Sequence, residues 1–119
     1  MTSTSAVDRH VLDALLESMG GDQEFLGELL ATYFEDAPQL IAAMQAALAA
    51  GEAEELRRAA HSLKSTSATF GAMDLSAKCK DLEMMAKSGA LEGAEAQITA
   101  VATEYARARA ELETAQRVS

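Results

Sequence analysis

The run Arg57-Arg58-Ala59-Ala60-His61-Ser62-Leu63-Lys64-Ser65-Thr66-Ser67-Ala68-Thr69-Phe70-Gly71 carries two patterns at once. At about 100° per residue, Leu56, Ala60, Leu63, Ser67 and Phe70 fall on one stripe at steps of three and four, the spacing of a helix with a buried seam. His61 falls on the other side. Positions three, four or seven apart share a helix face, so its neighbours are Arg57 and Arg58 before it and Lys64, Ser65 and Ala68 after it. The sequence therefore places an exposed imidazole among three cations and small side chains.

Outward from this helix, the composition favours more of the same. The chain has 119 residues and one proline. Ala, Leu and Glu are frequent, so helix formers outnumber strand formers and the expected class is all-α, in one domain over residues 1–119. No apolar run approaches the roughly 20 residues that span a bilayer. The start, Met1-Thr2-Ser3-Thr4-Ser5, lacks the basic and apolar regions of a signal peptide, and a cytoplasmic protein without a membrane partner is expected. A formal net charge of −9 argues against nucleic acid, which favours clustered Lys and Arg. The lone Cys79 reads as a small buried side chain rather than a disulfide, metal or redox residue.

In chain order, a first helix is expected over Val7 to Ser18, with Ser5 as its N-cap, Val7 or Val11, Leu12, Leu15 and Met19 as its apolar side, and Gly20-Gly21 as its stop. Asp22 can cap a second helix bearing Leu26, Leu29, Leu30, Tyr33 and Phe34. Pro38 interrupts that helix, yet the stripe resumes in phase at Leu40, Ile41, Met44 and Leu48, giving either one kinked helix or two before Gly51. The His61 helix then covers about 52–70 and stops at Gly71. Ala72 to Ser88 follows, with Leu75, Cys79, Leu82 and Ala86 facing the core and Gly89 as its end. Met73, Ala77 and Met84 make a weaker line on its opposite side. Contact with another helix of the same chain is the expected reading of that line, and a partner-docking edge the alternative.

The last helix begins near Leu91. Leu91, Ala94, Ile98, Val101, Tyr105, Ala108, Leu112 and Ala115 alternate steps of three and four, the seam of a bundle or coiled coil. Four long segments joined by short Gly-containing connections favour antiparallel packing within the chain over a coiled-coil dimer, so a monomer is expected.

An imidazole that is largely neutral at cytosolic pH and open to solvent can attack phosphorus in line. Lys64 can place an ammonium near phosphate oxygens, and Arg57 or Arg58 a second cation. This face therefore reads as one that carries a phosphoryl group on His61. There is no G-x-x-x-x-G-K-[ST] or other Gly-rich phosphate loop, and no clustered carboxylate site for Mg²⁺. His10 lacks comparable cations and reads as structural or simply exposed.

The segment from His61-Ser62-Leu63-Lys64-Ser65 to Phe70-Gly71-Ala72, followed by Leu75, Cys79, Leu82 and Glu83, strongly resembles the histidine-containing phosphotransfer domains of bacterial multistep phosphorelays. Gly20-Gly21-Asp22, Phe25-Leu26 and Asp36-Ala37-Pro38 look like the family's upstream helices, so the resemblance covers nearly the whole chain. It implies an antiparallel four-helix bundle with one or two additional N-terminal helices. His61 becomes the phosphorylated nucleophile, Lys64 its phosphate-stabilising neighbour and Gly71 the helix stop; Arg57, Arg58, Ser65 and Ala68, which share the helix face of His61, are then the expected receiver-facing surface. The family usually has glycine where Ser65 stands.

The resemblance further implies a phosphorelay intermediate rather than an enzyme. His61 would accept a phosphoryl group from a receiver-domain aspartate and pass it to another receiver, with no cofactor of its own and with Mg²⁺ supplied by the partner receiver. Response-regulator receiver domains and a hybrid histidine kinase are the implied partners, and the short flanks lead us to expect a freestanding protein. The competing reading is a non-phosphorylated helical adaptor that binds a kinase or receiver. A metal-binding bundle is poorly supported, because it needs inward-facing Glu or Glu-x-x-His ligands on several helices.

Overall fold

The computed structural model describes residues 5–118. Among them the chain forms five helices and no strand: α1 (Arg9–Ser18), α2 (Gln23–Ala50), α3 (Ala53–Thr69), α4 (Met73–Ser88) and α5 (Ala94–Val118). Helices α2 and α3, α3 and α4, α4 and α5, and α5 and α2 pack side by side. That cyclic order, with short turns between successive helices, is an antiparallel four-helix bundle. Helix α1 is the one additional N-terminal helix, and it packs against α3. No helix among the described residues is long and apolar enough to cross a membrane.

The seams place themselves as their spacing requires. Leu56, Ala60, Leu63, Ser67 and Phe70 of α3 are buried, as are Leu75, Cys79, Leu82 and Ala86 of α4 and Ala94 through Leu112 of the α5 stripe. Ser67, the polar member of the α3 seam, is satisfied by the Tyr33 hydroxyl at 2.8 Å, so burying it leaves no unpaired oxygen. Burial also pushes the Cys79 thiol up to about 12, which keeps it protonated and unreactive.

Pro38 resolves as part of one continuous α2. Its ring is exposed, so the missing donor costs one bond on the solvent side while Ala37 and Ile41 keep the core face in phase. Asp22 caps α2 by accepting from the Phe25 N–H at 3.0 Å.

Four boundaries or contacts differ from expectation. Helix α1 starts at Arg9, not Val7, because the Asp8 side chain caps it by accepting from the His10 N–H at 2.9 Å. Ser5 is therefore not the N-cap. Helix α5 starts at Ala94, since Gly93 adopts a φ of 86° that a helix does not continue. Finally, Met73, Ala77 and Met84 are not buried against another helix: all three are exposed, the two methionines at 45% and 55%.

The chain entering α1 is fastened at two points. Gly71 sits at φ 85°, and a Cβ there would lie 2.6 Å from the Asp8 carbonyl oxygen, while the Asp8 N–H donates to the Gly71 carbonyl at 2.7 Å. Only glycine allows that close approach together with a left-handed backbone. The second point is Glu111 of α5, whose carboxylate accepts from the Ser5 hydroxyl at 2.7 Å and from the Ala6 and Val7 N–H groups at 2.7 and 3.0 Å. Burial pushes this carboxyl up, but the three hydrogen bonds outweigh it and hold the group below the usual carboxylate range. A carboxyl lowered by folding stabilises above its unfolded value, near 4.3, and that contribution disappears as pH falls through the folded value. Wild type is therefore expected to lose more stability than Glu111→Gln on acidification from about pH 5 to about pH 2. Urea unfolding across that range checks this, and parallel pH profiles would contradict it.

Candidate functional site

His61 stands on the solvent side of α3, opposite the buried Ala60–Leu63 seam, with 54% of its side chain exposed. The turn at Gly71 folds α4 back along α3, and the Ser76 hydroxyl donates to the Lys64 carbonyl across the pair at 3.0 Å. This antiparallel register brings Glu83 of α4 up to the imidazole. Glu83 Oε2 lies 2.8 Å from His61 Nδ1, and Glu83 Oε1 accepts from Lys64 Nζ at 2.6 Å. Arg57 Nη1 approaches the same carboxylate at 4.0 Å.

Glu83 is thus the hub of the site. Its side chain is 13% exposed, and the hydrogen bond from Lys64, helped by that from His61, holds its carboxyl below the usual carboxylate range despite burial. An ionised carboxylate is acceptor-only, so a neutral His61 facing it carries its proton on Nδ1 and donates it to Glu83. That leaves the Nε2 lone pair as the ring's free nucleophilic atom.

The face expected to hold three cations and small side chains is electrostatically different. Each cation has an acidic partner: Arg57 pairs with Glu54 at 2.6 Å, Arg58 with Glu54 at 3.3 Å and Glu55 at 3.9 Å, and Lys64 with Glu83. Of the residues expected in the site, the structure gathers His61, Lys64 and Arg57 around Glu83. Arg58 is exposed and engaged with its own helix. Ser65 is exposed and Ala68 half-buried further along α3, and His10 is exposed on α1.

Neighbours taken only along α3 miss Glu83. The signal was available in the turn: His61 lies ten residues before Gly71 and Glu83 twelve after it. An antiparallel hairpin folded at that glycine sets the two side by side, and Glu83 borders the buried Leu82.

The family model for the Hpt domain matches residues 28–111. The chain belongs to the histidine-containing phosphotransfer domain family, the phosphotransfer intermediates of two-component phosphorelays. Among solved structures, the chain is similar to histidine-containing phosphotransfer protein B (HptB) from Pseudomonas aeruginosa PAO1, at 34% sequence identity. The match covers 98% of this chain and 99% of that one, with a TM-score of 0.88. No curated protein sequence matches the chain.

Proposed function

We propose that His61 Nε2 is the atom that carries the phosphoryl group, received from one receiver-domain aspartate and delivered to another. The observation that supports this is the pairing of His61 Nδ1 with Glu83 at 2.8 Å on an exposed face, which points the remaining lone pair outward. Attack by Nε2 on phosphorus forms the N–P bond as the P–O bond to the aspartate breaks, and that electron pair leaves with the carboxylate. The ring gains positive character, and Glu83 stabilises it through the Nδ1 proton. Delivery is the reverse: a second aspartate attacks phosphorus, the N–P bond breaks, and the pair returns to Nε2.

Lys64, held on Glu83 one turn along α3 from His61, would turn its ammonium to the phosphoryl oxygens and supply the charge-assisted hydrogen bonds that the transferring group needs. Mg²⁺ and the pocket that binds it are the receiver's contribution, as is most of the charge stabilisation. The chain acts without an ATP site of its own, as a monomer in the cytoplasm, between a hybrid histidine kinase and its response regulators.

The test is to mix the purified protein with phosphorylated receiver domains from the same organism and follow the label. Transfer of acid-labile phosphate to this chain is expected. Stable binding to receivers with no label acquired would instead support a helical adaptor. Lys64→Ala is expected to slow transfer about 10- to 100-fold, the worth of one charge-assisted hydrogen bond, with little change in helix content by circular dichroism, because the Lys64 side chain lies off the α3 seam. Transfer at the wild-type rate would remove Lys64 from the mechanism.

A further inference from the structure

The four lysines of the sequence are Lys64, Lys78, Lys80 and Lys87, so three of them are on α4. Lys80, Met84 and Lys87 follow at steps of four and three, on one face, and Ala77 and Met73 continue that line toward the helix start. All five are exposed. Unlike Arg57, Arg58 and Lys64, neither Lys80 nor Lys87 has an acidic partner among the described residues. In a chain of net charge −9, this is a basic ridge with methionine set between unpaired ammonium groups.

The ridge borders the site. Lys80 and Lys87 lie about one turn before and after Glu83, the residue that holds His61 and Lys64. Lys80, Met84 and Lys87 also line a groove of about 620 Å³ between α3 and α4, shared with Arg57, Lys64 and Glu83. A partner whose aspartate reaches His61 must therefore approach beside this ridge.

We infer that the Lys80–Met84–Lys87 ridge of α4 is a docking surface for the receiver domain, engaging an acidic rim beside the receiver's phosphorylated aspartate and seating an apolar side chain of that rim against Met84. Charge complementarity selects this occupant. A receiver must gather carboxylates to hold a divalent cation at its aspartate, so the end that it presents to His61 is acidic, and unpaired lysines attract it over a distance and fix its register. Met84 is unbranched and polarizable, which lets one ridge fit the somewhat different surfaces of a donor and an acceptor. This inference rests on the transfer function proposed above and names the surface that selects the partner.

The experiment compares wild type, Lys80→Glu/Lys87→Glu and Met84→Asp. Phosphoramidate, a small donor that needs no docking surface, reads the histidine alone. Transfer to and from receiver domains of the same organism reads docking. In the double variant, kcat/KM with the receivers is expected to fall at least about tenfold, carried by KM, and the deficit to shrink as salt rises from about 50 to about 500 mM. Met84→Asp is expected to lose a similar amount without that salt dependence. Labelling by phosphoramidate is expected to stay within about twofold of wild type in both, which shows an intact site.

Receiver kinetics within about twofold of wild type in both variants would overturn the inference. So would a wild-type dimer, by sedimentation, that the variants dissociate, because the ridge would then be an interface between two copies of this chain. If wild type takes no label from either donor, the transfer function itself fails, which is a different result from a failure confined to the ridge variants.

Discussion

A His61→Gln variant is expected to fold, to bind receivers and to accept no phosphoryl group from them. Glutamine can keep a hydrogen bond to Glu83, but its amide nitrogen has no free lone pair and its oxygen is a poor nucleophile, so the chemical step is lost rather than slowed. The fold survives because His61 sits on the exposed side of α3, and a surface substitution of this kind changes stability by less than about 1 kcal/mol. Phosphoryl transfer from a labelled receiver, read beside a circular dichroism melt, checks both halves. Labelling of the variant at the wild-type level would move the acceptor elsewhere in the chain.

Leu63→Ala is expected to do the opposite, removing stability while leaving the site chemistry untouched in whatever fraction stays folded. Leu63 is two residues from His61 on the same helix, yet it is fully buried on the seam that packs α3 against its neighbours in the bundle. Truncating a fully buried leucine removes its transfer energy and leaves a cavity, at a cost of about 2 to 5 kcal/mol. For a small domain that is a large part of the total. Urea unfolding of Leu63→Ala beside His61→Ala tests the rotation of α3 directly. A larger loss in His61→Ala would mean that the helix presents its other face to the core.

The fold was legible because its seams are strictly periodic. Leucines, alanines and Cys79 recur at steps of three and four in α3, α4 and α5, and a buried stripe of that kind has one physical outcome. The helix ends were less legible where two capping choices compete. Ser5 and Asp8 can both accept from a helix N-terminus, and the structure gives that task to Asp8 while Ser5 is spent on Glu111. The Met73–Ala77–Met84 line shows the limit of periodicity: spacing establishes that residues share a face, not what that face meets.

The candidate site was legible on one helix and not across two. His61, Lys64 and Arg57 could be grouped from α3 alone, because neighbours at three and four residues are fixed by helical geometry. Glu83 comes from another helix and depends on the register of the α3–α4 hairpin. Missing it left Lys64 looking like a free cation, whereas Glu54 and Glu55, which pair with Arg57 and Arg58, lie one turn back on α3 itself. With Glu83 in place, the imidazole has a defined proton-bearing nitrogen and a defined free one, and the chemistry follows from that asymmetry.

That asymmetry can be measured. The protein, labelled with ¹⁵N in its histidines, would be phosphorylated by a receiver domain and its imidazole nitrogens followed by NMR. Phosphorus is expected on Nε2 of His61, with Nδ1 keeping its proton toward Glu83. Phosphorus on Nδ1 of His61, on His10, or on no histidine at all would contradict the account.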